Sequence, residues 1–262
     1  MTVSLAITLL VLGLIGGFFS GWLGIGGGII MAPLLLYVPQ TLGVYDGMNM
    51  KVVAGLTMIQ SLFATGSGVI VHRKFQHVSR PLVLWMGAGI TAASLTGALL
   101  SKNISADVLL AIFATLALAA AAIMLIPRVE PGMEPLAGQV TFNRPLAVFS
   151  ALVIGLVGGM VGQSGAFIII PVLLYVLRIP TRTAIGCSLG ITFLAALAGS
   201  AGKLATDQID FEMALFCVVG ALVGAQLGGR LSIHTRRRRL RLMLAALIAA
   251  TAMRMFWDLA TR

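Results

Sequence analysis

Charge is scarce in this chain, and acidic charge scarcest. Only 10% of its 262 residues are charged, with 8 Asp plus Glu against 18 Lys plus Arg. An ordinary soluble domain carries about 25% charged residues, so this chain has too little polar surface to cover a water-soluble globule. None of its acids (Asp46, Asp107, Glu130, Glu134, Asp207, Asp210, Glu212, Asp258) falls at the centre of an apolar run. Carboxylates within a membrane usually mark cation or proton pathways, which argues against a cation transporter built on a buried acid. Catalytic signatures are sparse as well. A His-Glu-x-x-His motif, paired intramembrane aspartates and a Walker-type phosphate loop are all missing. A membrane hydrolase or metalloprotease therefore has no apparent ligand set, and no ATP-driven step belongs to this chain. The expectation is that it is not an enzyme and needs no cofactor or metal. Cysteine is rare: Cys187 and Cys217 both lie inside apolar runs and read as small packing residues without a disulfide.

Hydrophobic residues make up 59% of the chain, and the mean hydropathy is +1.03. Roughly 20 apolar residues span a bilayer as a helix. Barrel strands would instead show alternating segments of about ten, and the runs here are continuous. The sequence therefore predicts an all-α integral membrane protein. Eight apolar blocks fall near 3–38, 52–71, 81–100, 104–126, 145–177, 183–202, 211–231 and 240–260. The first and fifth are too long for one crossing at about 1.5 Å per residue, and each is interrupted by glycine. Broken or re-entrant, they bring the expected number of membrane segments to about ten. The first run follows Met1-Thr-Val-Ser, which has no basic stretch, so a retained helix is expected rather than a cleaved signal.

The two interruptions resemble each other. One reads Gly21-Trp22-Leu23-Gly24-Ile25-Gly26-Gly27-Gly28 before Pro33, and the other Gly159-Met160-Val161-Gly162-Gln163-Ser164-Gly165-Ala166 before Pro171. Gly17 and Gly155, Gly24 and Gly162, Gly27 and Gly165, Pro33 and Pro171, and Tyr37 and Tyr175 share an offset of 138. Further along the offset becomes 131, pairing Gly55 with Gly186, Thr57 with Ser188, Gly68 with Gly199, Gly89 with Gly220, Gly97 with Gly228 and Ser101 with Ser232. This is the mark of an internal duplication: a first repeat over 1–126, a cytoplasmic linker over 127–144 and a second repeat over 145–262.

Basic residues orient the halves. With each long block returning to its starting side or crossing twice, and both termini outside, the cytoplasmic loops collect Arg73, Lys74, Arg80, Arg128, Arg144, Arg178, Arg182, Arg230, Arg236, Arg237, Arg238, Arg239 and Arg241, 13 of the 18. Lys51, Lys102, Lys203, Arg254 and Arg262 stay outside, as the positive-inside rule prefers. Each half then turns an odd number of times, so the repeats are inverted. Inverted repeats with helices broken at matching positions are the pattern of a secondary transporter. The net charge of +10 accordingly reads as loop chemistry rather than as a nucleic-acid footprint. The Arg236–Arg239 loop reads as a topology anchor contacting anionic lipid. His72, His77 and His234 are loop residues with no assigned role.

Candidate binding residues follow from the breaks. Helix N-termini present unpaired N–H groups and a positive dipole end, and glycine lets backbone approach an oxyanion closely. Gly24, Ile25, Gly26, Gly27 and Gly28 in one half, with Gly162, Gln163, Ser164 and Gly165 in the other, are therefore expected to line a site for a small anion. The alternative is that the glycines serve close helix packing. Thr57 and Ser188, with Ser61 and Thr192 four residues on, form a second matched polar pair, although such hydroxyls often bond only their own helix. Lys51 and Arg182 match as well, and would draw an anion to either mouth or else anchor at the interface.

The glycine-rich break before a Pro-Leu-Leu run, occurring twice among eight apolar blocks, resembles the TauE/SafE family of sulfite exporters, from Gly16 through the last block. That resemblance implies export of sulfite or an organosulfonate across a bacterial inner membrane. Ala166 departs from the repeat pattern where the first half has Gly28. A channel, or a carrier of another small carboxylate or oxyanion, fits the same residues. The oligomeric state is left open.

Overall fold

The computed structural model describes residues 2–74, 78–124, 126 and 140–260. Residues 127–139 of the expected linker, with Arg128, lie outside the described residues, as do His77, Arg262 and the side chains of His72, Arg73, Lys74, Arg237, Arg241 and Asp258. Ten α-helices follow in order: α1 (Val3–Leu23), α2 (Gly28–Thr41), α3 (Met50–Lys74), α4 (Arg80–Leu100), α5 (Ala106–Met124), α6 (Arg144–Val161), α7 (Ala166–Pro171), α8 (Thr181–Ala205), α9 (Phe211–His234) and α10 (Arg237–Ala260). Strands are absent among the described residues. Eight of the helices are long and apolar enough to cross a membrane, whereas Gly28–Thr41 and Ala166–Val176 are shorter apolar segments. The surface is apolar where lipid would lie: Val3, Ile7, Leu84, Phe149, Leu215 and Met253 are all exposed. Large apolar side chains exposed in this number along helices of membrane-spanning length fit a lipid-facing surface.

The long first and fifth blocks break where the glycines predict. Thr2 caps α1 through a hydrogen bond from the Leu5 amide, and Gly24 ends the helix in the left-handed region with its N–H on the Ser20 carbonyl. Asn143 caps α6 in the same way, and Gly162 closes that helix with its N–H on the Gly158 carbonyl. An αL residue after the last turn stops a helix and satisfies one of its orphan carbonyls. Pro33 and Pro39 interrupt the amide ladder of α2. Pro171 ends α7, and a π-helical turn, Val172–Val176, carries on from it.

Glycine also sets the packing between helices. α1 runs along α9 and α4 along α6. A Cβ at Gly13, Gly17 or Gly21 would strike the backbone of Cys217, Ala221 or Ala225. From the other side, one at Gly220, Gly224 or Gly228 would strike Leu10, Leu14 or Phe18. Both series repeat every four residues, the spacing that lets two membrane helices touch backbone to backbone. The packing role considered for glycine holds here. Cys187 and Cys217 are buried free thiols.

α3 and α8 are the most enclosed of the long helices, 67% and 72% buried along their apolar windows against at most 50% for the others. They stand at the centre, and each packs against the opposite half: α3 on α8 and α9, α8 on α4.

Candidate functional site

Both breaks have the same backbone. φ is positive at Gly24, Gly26 and Gly27 in the first, and at Gly162, Ser164 and Gly165 in the second. These are three pairs at the 138 offset. Ser164 alone is not glycine, and its φ of 52° carries a local strain of about 1–3 kcal/mol.

Each break is held by the central helix of the opposite half. Thr57 Oγ1 donates to the Gly162 carbonyl at 2.9 Å, sharing its proton with Val53 O of its own helix at 2.8 Å. Ser188 Oγ donates to the Gly24 carbonyl at 2.7 Å and shares with Ile185 O at 2.8 Å. The two contacts exchange when the halves are exchanged. These hydroxyls bond their own helices and also reach across, which leaves only their acceptor lone pairs to a ligand. The close approach needs glycine. A Cβ on Gly162 would run into the Ala54 carbonyl oxygen, and one on Gly24 would stand 2.8 Å from Ile185 Cγ2.

The breaks also meet one another. A Cβ built on Gly26 would lie 2.9 Å from Ala166 Cβ, 3.0 Å from Ser61 Oγ and 3.0 Å from Thr192 Cγ2. One on Gly27 would lie 2.9 Å from Gln60 Nε2, and one on Gly28 would overlap Gln163 Oε1. Gln60, Ser61, Gln163 and Thr192 thus converge on the first break. All are at most 1% exposed, and both amide atoms of each glutamine and both hydroxyls have no hydrogen-bond partner among the described residues. Leaving such a group unsatisfied costs about 1–3 kcal/mol, which makes this cluster a candidate for holding water or a polar ligand. Two carboxamides and two hydroxyls offer donors without a formal charge. The Gly28 and Ile29 amides at the start of α2, which helix geometry leaves without intrahelical acceptors, add to them, whereas the Ile30 and Met31 amides bond the Gly27 carbonyl.

The remaining candidates are more varied. Ser164 is buried, and its hydroxyl contacts Met58 Sδ at 3.2 Å. Ile25 is fully buried among apolar neighbours and has only backbone to offer. Lys51 and Arg182 sit in the first turns of α3 and α8, both half-buried. That is about 9 Å along the axis from Thr57 or Ser188, and neither side chain bonds to a break. Lys51 Nζ donates to Lys102 O at 3.2 Å, while Arg182 Nε has no partner among the described residues. The acids described with their side chains, Asp46, Asp107, Asp207, Asp210 and Glu212, are all exposed, so none approaches the cluster.

Gln60 escaped the sequence reading. Its signal was a carboxamide in the middle of an apolar block, three residues after Thr57 and so on the same face of α3. One hydrolase spelling taken as missing from the sequence is in fact present: Gly186-Cys187-Ser188-Leu189-Gly190 reads Gly-x-Ser-x-Gly. It lies inside α8 rather than on the strand-to-helix elbow that exposes a nucleophile. The Ser188 hydroxyl is bonded to two carbonyls.

Comparison with known proteins agrees with this architecture. Residues 9–255 match the family described as Sulfite exporter TauE/SafE. A probable membrane transporter protein of Xylella fastidiosa (strain 9a5c) is 30% identical, over 98% of this chain and 97% of the relative. YunE of Bacillus subtilis, also named a probable membrane transporter protein, is 25% identical over 86% of this chain and 88% of its own. MJ0441 of Methanocaldococcus jannaschii, named likewise, is 21% identical over 92% and 91%. No solved structure matches. With two glycine-broken helices crossing at a buried polar cluster, and a family match spanning nearly the whole chain, this multi-pass membrane protein belongs to the TauE/SafE sulfite exporter family of membrane transporters.

Proposed function

We propose that the chain is a secondary carrier exporting a small sulfur-containing anion, sulfite or an organosulfonate, by alternating access. The observation that carries this reading is the cluster of Gln60, Ser61, Gln163 and Thr192, buried and unpartnered where the two breaks meet. Neutral donors in a site without carboxylates suit an anion, since a hydrogen bond to a charged partner contributes about 1.5–3 kcal/mol. Gly24–Gly28 and Gly162–Gly165 supply backbone close to the ligand, while Thr57 and Ser188 hold the breaks in register. Lys51 and Arg182 attract the anion at opposite mouths.

Inverted repeats supply the motion. The exchange of Thr57–Gly162 for Ser188–Gly24, and of the α1–α9 packing for α4–α6, supports two halves related by an axis in the membrane plane. A site on such an axis opens to either side as one repeat rocks against the other. The termini face outward from a bacterial inner membrane, and the Arg236–Arg239 loop lies inside against anionic lipid. An anion channel, or a carrier for another small carboxylate or oxyanion, is the second reading, favoured by the absence of any sulfur-specific group in the cluster.

Uptake of labelled sulfite, sulfate, a sulfonate and lactate into proteoliposomes, with and without a pH gradient, tests the proposal. Saturable sulfite or sulfonate flux is expected. Flux of a cation, with none of the sulfur anions moving, would overturn it, and non-saturating anion flux would favour the channel.

A further inference from the structure

Lys203 is the one lysine, arginine, histidine, aspartate or glutamate side chain fully buried among the described residues, and the central site makes no use of it. It lies near the end of α8. Its ammonium donates to Ser101 Oγ at 3.0 Å and to Gln208 Oε1 at 3.1 Å, both neutral. It forms no ion pair with a carboxylate among the described residues. A buried ammonium without a counter-charge is costly to keep, and ionisable residues at such depth tend to be functional. A second cation stands beside it. Lys51 donates its ammonium to the backbone carbonyl of Lys102, the residue next to the Ser101 that Lys203 holds. The two lysines thus grip adjacent residues, Ser101 and Lys102, from either side.

An access route lies alongside. A cleft of about 350 Å³ is lined by Tyr45, Lys51, Val52, Gln208 and the Asp207 and Asp210 carboxylates. Gln208, which holds Lys203 from within, forms part of its wall. Asp207 and Asp210 are exposed, and Asp210 is engaged as the N-cap of α9, accepting from the Met213 amide at 3.0 Å. Water screens charges at that rim, whereas the buried ammonium is screened far less. Below the cleft, Gln208 O presses on Gly55 of α3. The preceding residue, Ala54, presses on Gly162 of the second break. Gln208 in the cleft wall and Gly162 of the second break thus contact successive residues of α3, Gly55 and Ala54.

We propose that Lys51 and Lys203, straddling Ser101 and Lys102, form a second anion-binding station, through which an oxyanion passes between the central cluster and the cleft. The station rests on the carrier reading. One anion between the two ammonium groups supplies the counter-charge that both lack, and the station draws the anion off the uncharged donors at the centre.

The test is calorimetric titration of the purified full-length chain with sodium sulfite at constant ionic strength, paired with sulfite flux in proteoliposomes. Wild type should bind two sulfite ions. Gln60→Ala with Gln163→Ala should abolish one event and leave the other. Lys51→Gln with Lys203→Gln should abolish that other and raise the KM for flux at least ten-fold while largely sparing the saturated rate. If Lys203 variants are not monodisperse, Lys51→Gln alone decides: a ten-fold weakening of the event that survives loss of the glutamines supports the station, and unchanged affinity overturns it. A single wild-type event untouched by the lysine changes also overturns the station and leaves the carrier standing. Neither binding nor flux of sulfite by wild type overturns both.

Discussion

Replacing Gly162 with alanine tests the central claim of the architecture, that α3 lies directly on the second break. Two costs can be separated by a control. Gly43, in the loop after α2, has φ +63° and nothing within 4 Å of a built Cβ. Gly43→Ala therefore carries only the left-handed backbone penalty, about 1–2 kcal/mol. Gly162 has φ +79°, and its Cβ would collide with Ala54 O, Cα and carbonyl carbon. Backbone cannot swing aside as a side chain can, so overpacking adds about 1–3 kcal/mol. Moving α3 away would also weaken the Thr57–Gly162 bond, a further loss of about 0.5–1.5 kcal/mol. The expected cost is roughly 3–6 kcal/mol, a large part of the 5–15 kcal/mol by which proteins are stable. Gly24→Ala should fall between, because two of its three nearest contacts, Ile185 Cγ2 and Ser188 Oγ, are side-chain atoms that can yield. Thermal unfolding of the three variants in one detergent reads the order directly. At about 2–4 °C per kcal/mol, Gly43→Ala should lower Tm by about 2–8 °C and Gly162→Ala by about 6–24 °C, roughly three times as much. Equal shifts for Gly43→Ala and Gly162→Ala would refute the reasoning, since the second would then have met no backbone.

Gln60→Ala and Gln163→Ala should each weaken sulfite binding about 10- to 100-fold, the equivalent of one hydrogen bond to a charged partner, measured by titration. Gln163→Glu should abolish binding at the central cluster through like-charge repulsion, and an unchanged affinity there would remove that side chain from the site. Thr57→Val and Ser188→Ala each leave a buried glycine carbonyl short of its cross-half donor and should cost about 1–3 kcal/mol. Near-equal Tm losses are expected from the reciprocal geometry, and an effect confined to one variant would speak against it. Arg238→Gln with Arg239→Gln, at exposed positions, should change the orientation of C-terminal reporter fusions in cells and leave sulfite affinity within two-fold. A comparable fall in affinity would contradict the separation of anchor from site.

Much of this protein could be read along the chain because the bilayer is a strict solvent. Continuous apolar runs with few charges must be helices that satisfy their own backbone, so the eight long helices follow from composition. Gly24 and Gly162 end α1 and α6 because a left-handed residue stops a helix locally, whatever surrounds it. Gly26 and Ser164, also 138 residues apart, share positive φ although only one is glycine, which the residue types alone did not indicate. The partners across space were not in the sequence. Thr57 and Ser188 carry the same hydroxyl whether it bonds its own helix or the opposite break, and only the packing of α3 against Gly162 and of α8 against Gly24 decided that they do both. Gln60 looked like one polar residue on a central helix until the fold laid it beside Gly27, with Gln163 against Gly28. Lys203, counted among basic residues at a block end, is buried only because α4 ends at Ser101 and the chain turns back at Gln208. Burial and convergence are properties of pairs of segments distant in sequence, and a pattern read along one segment records neither.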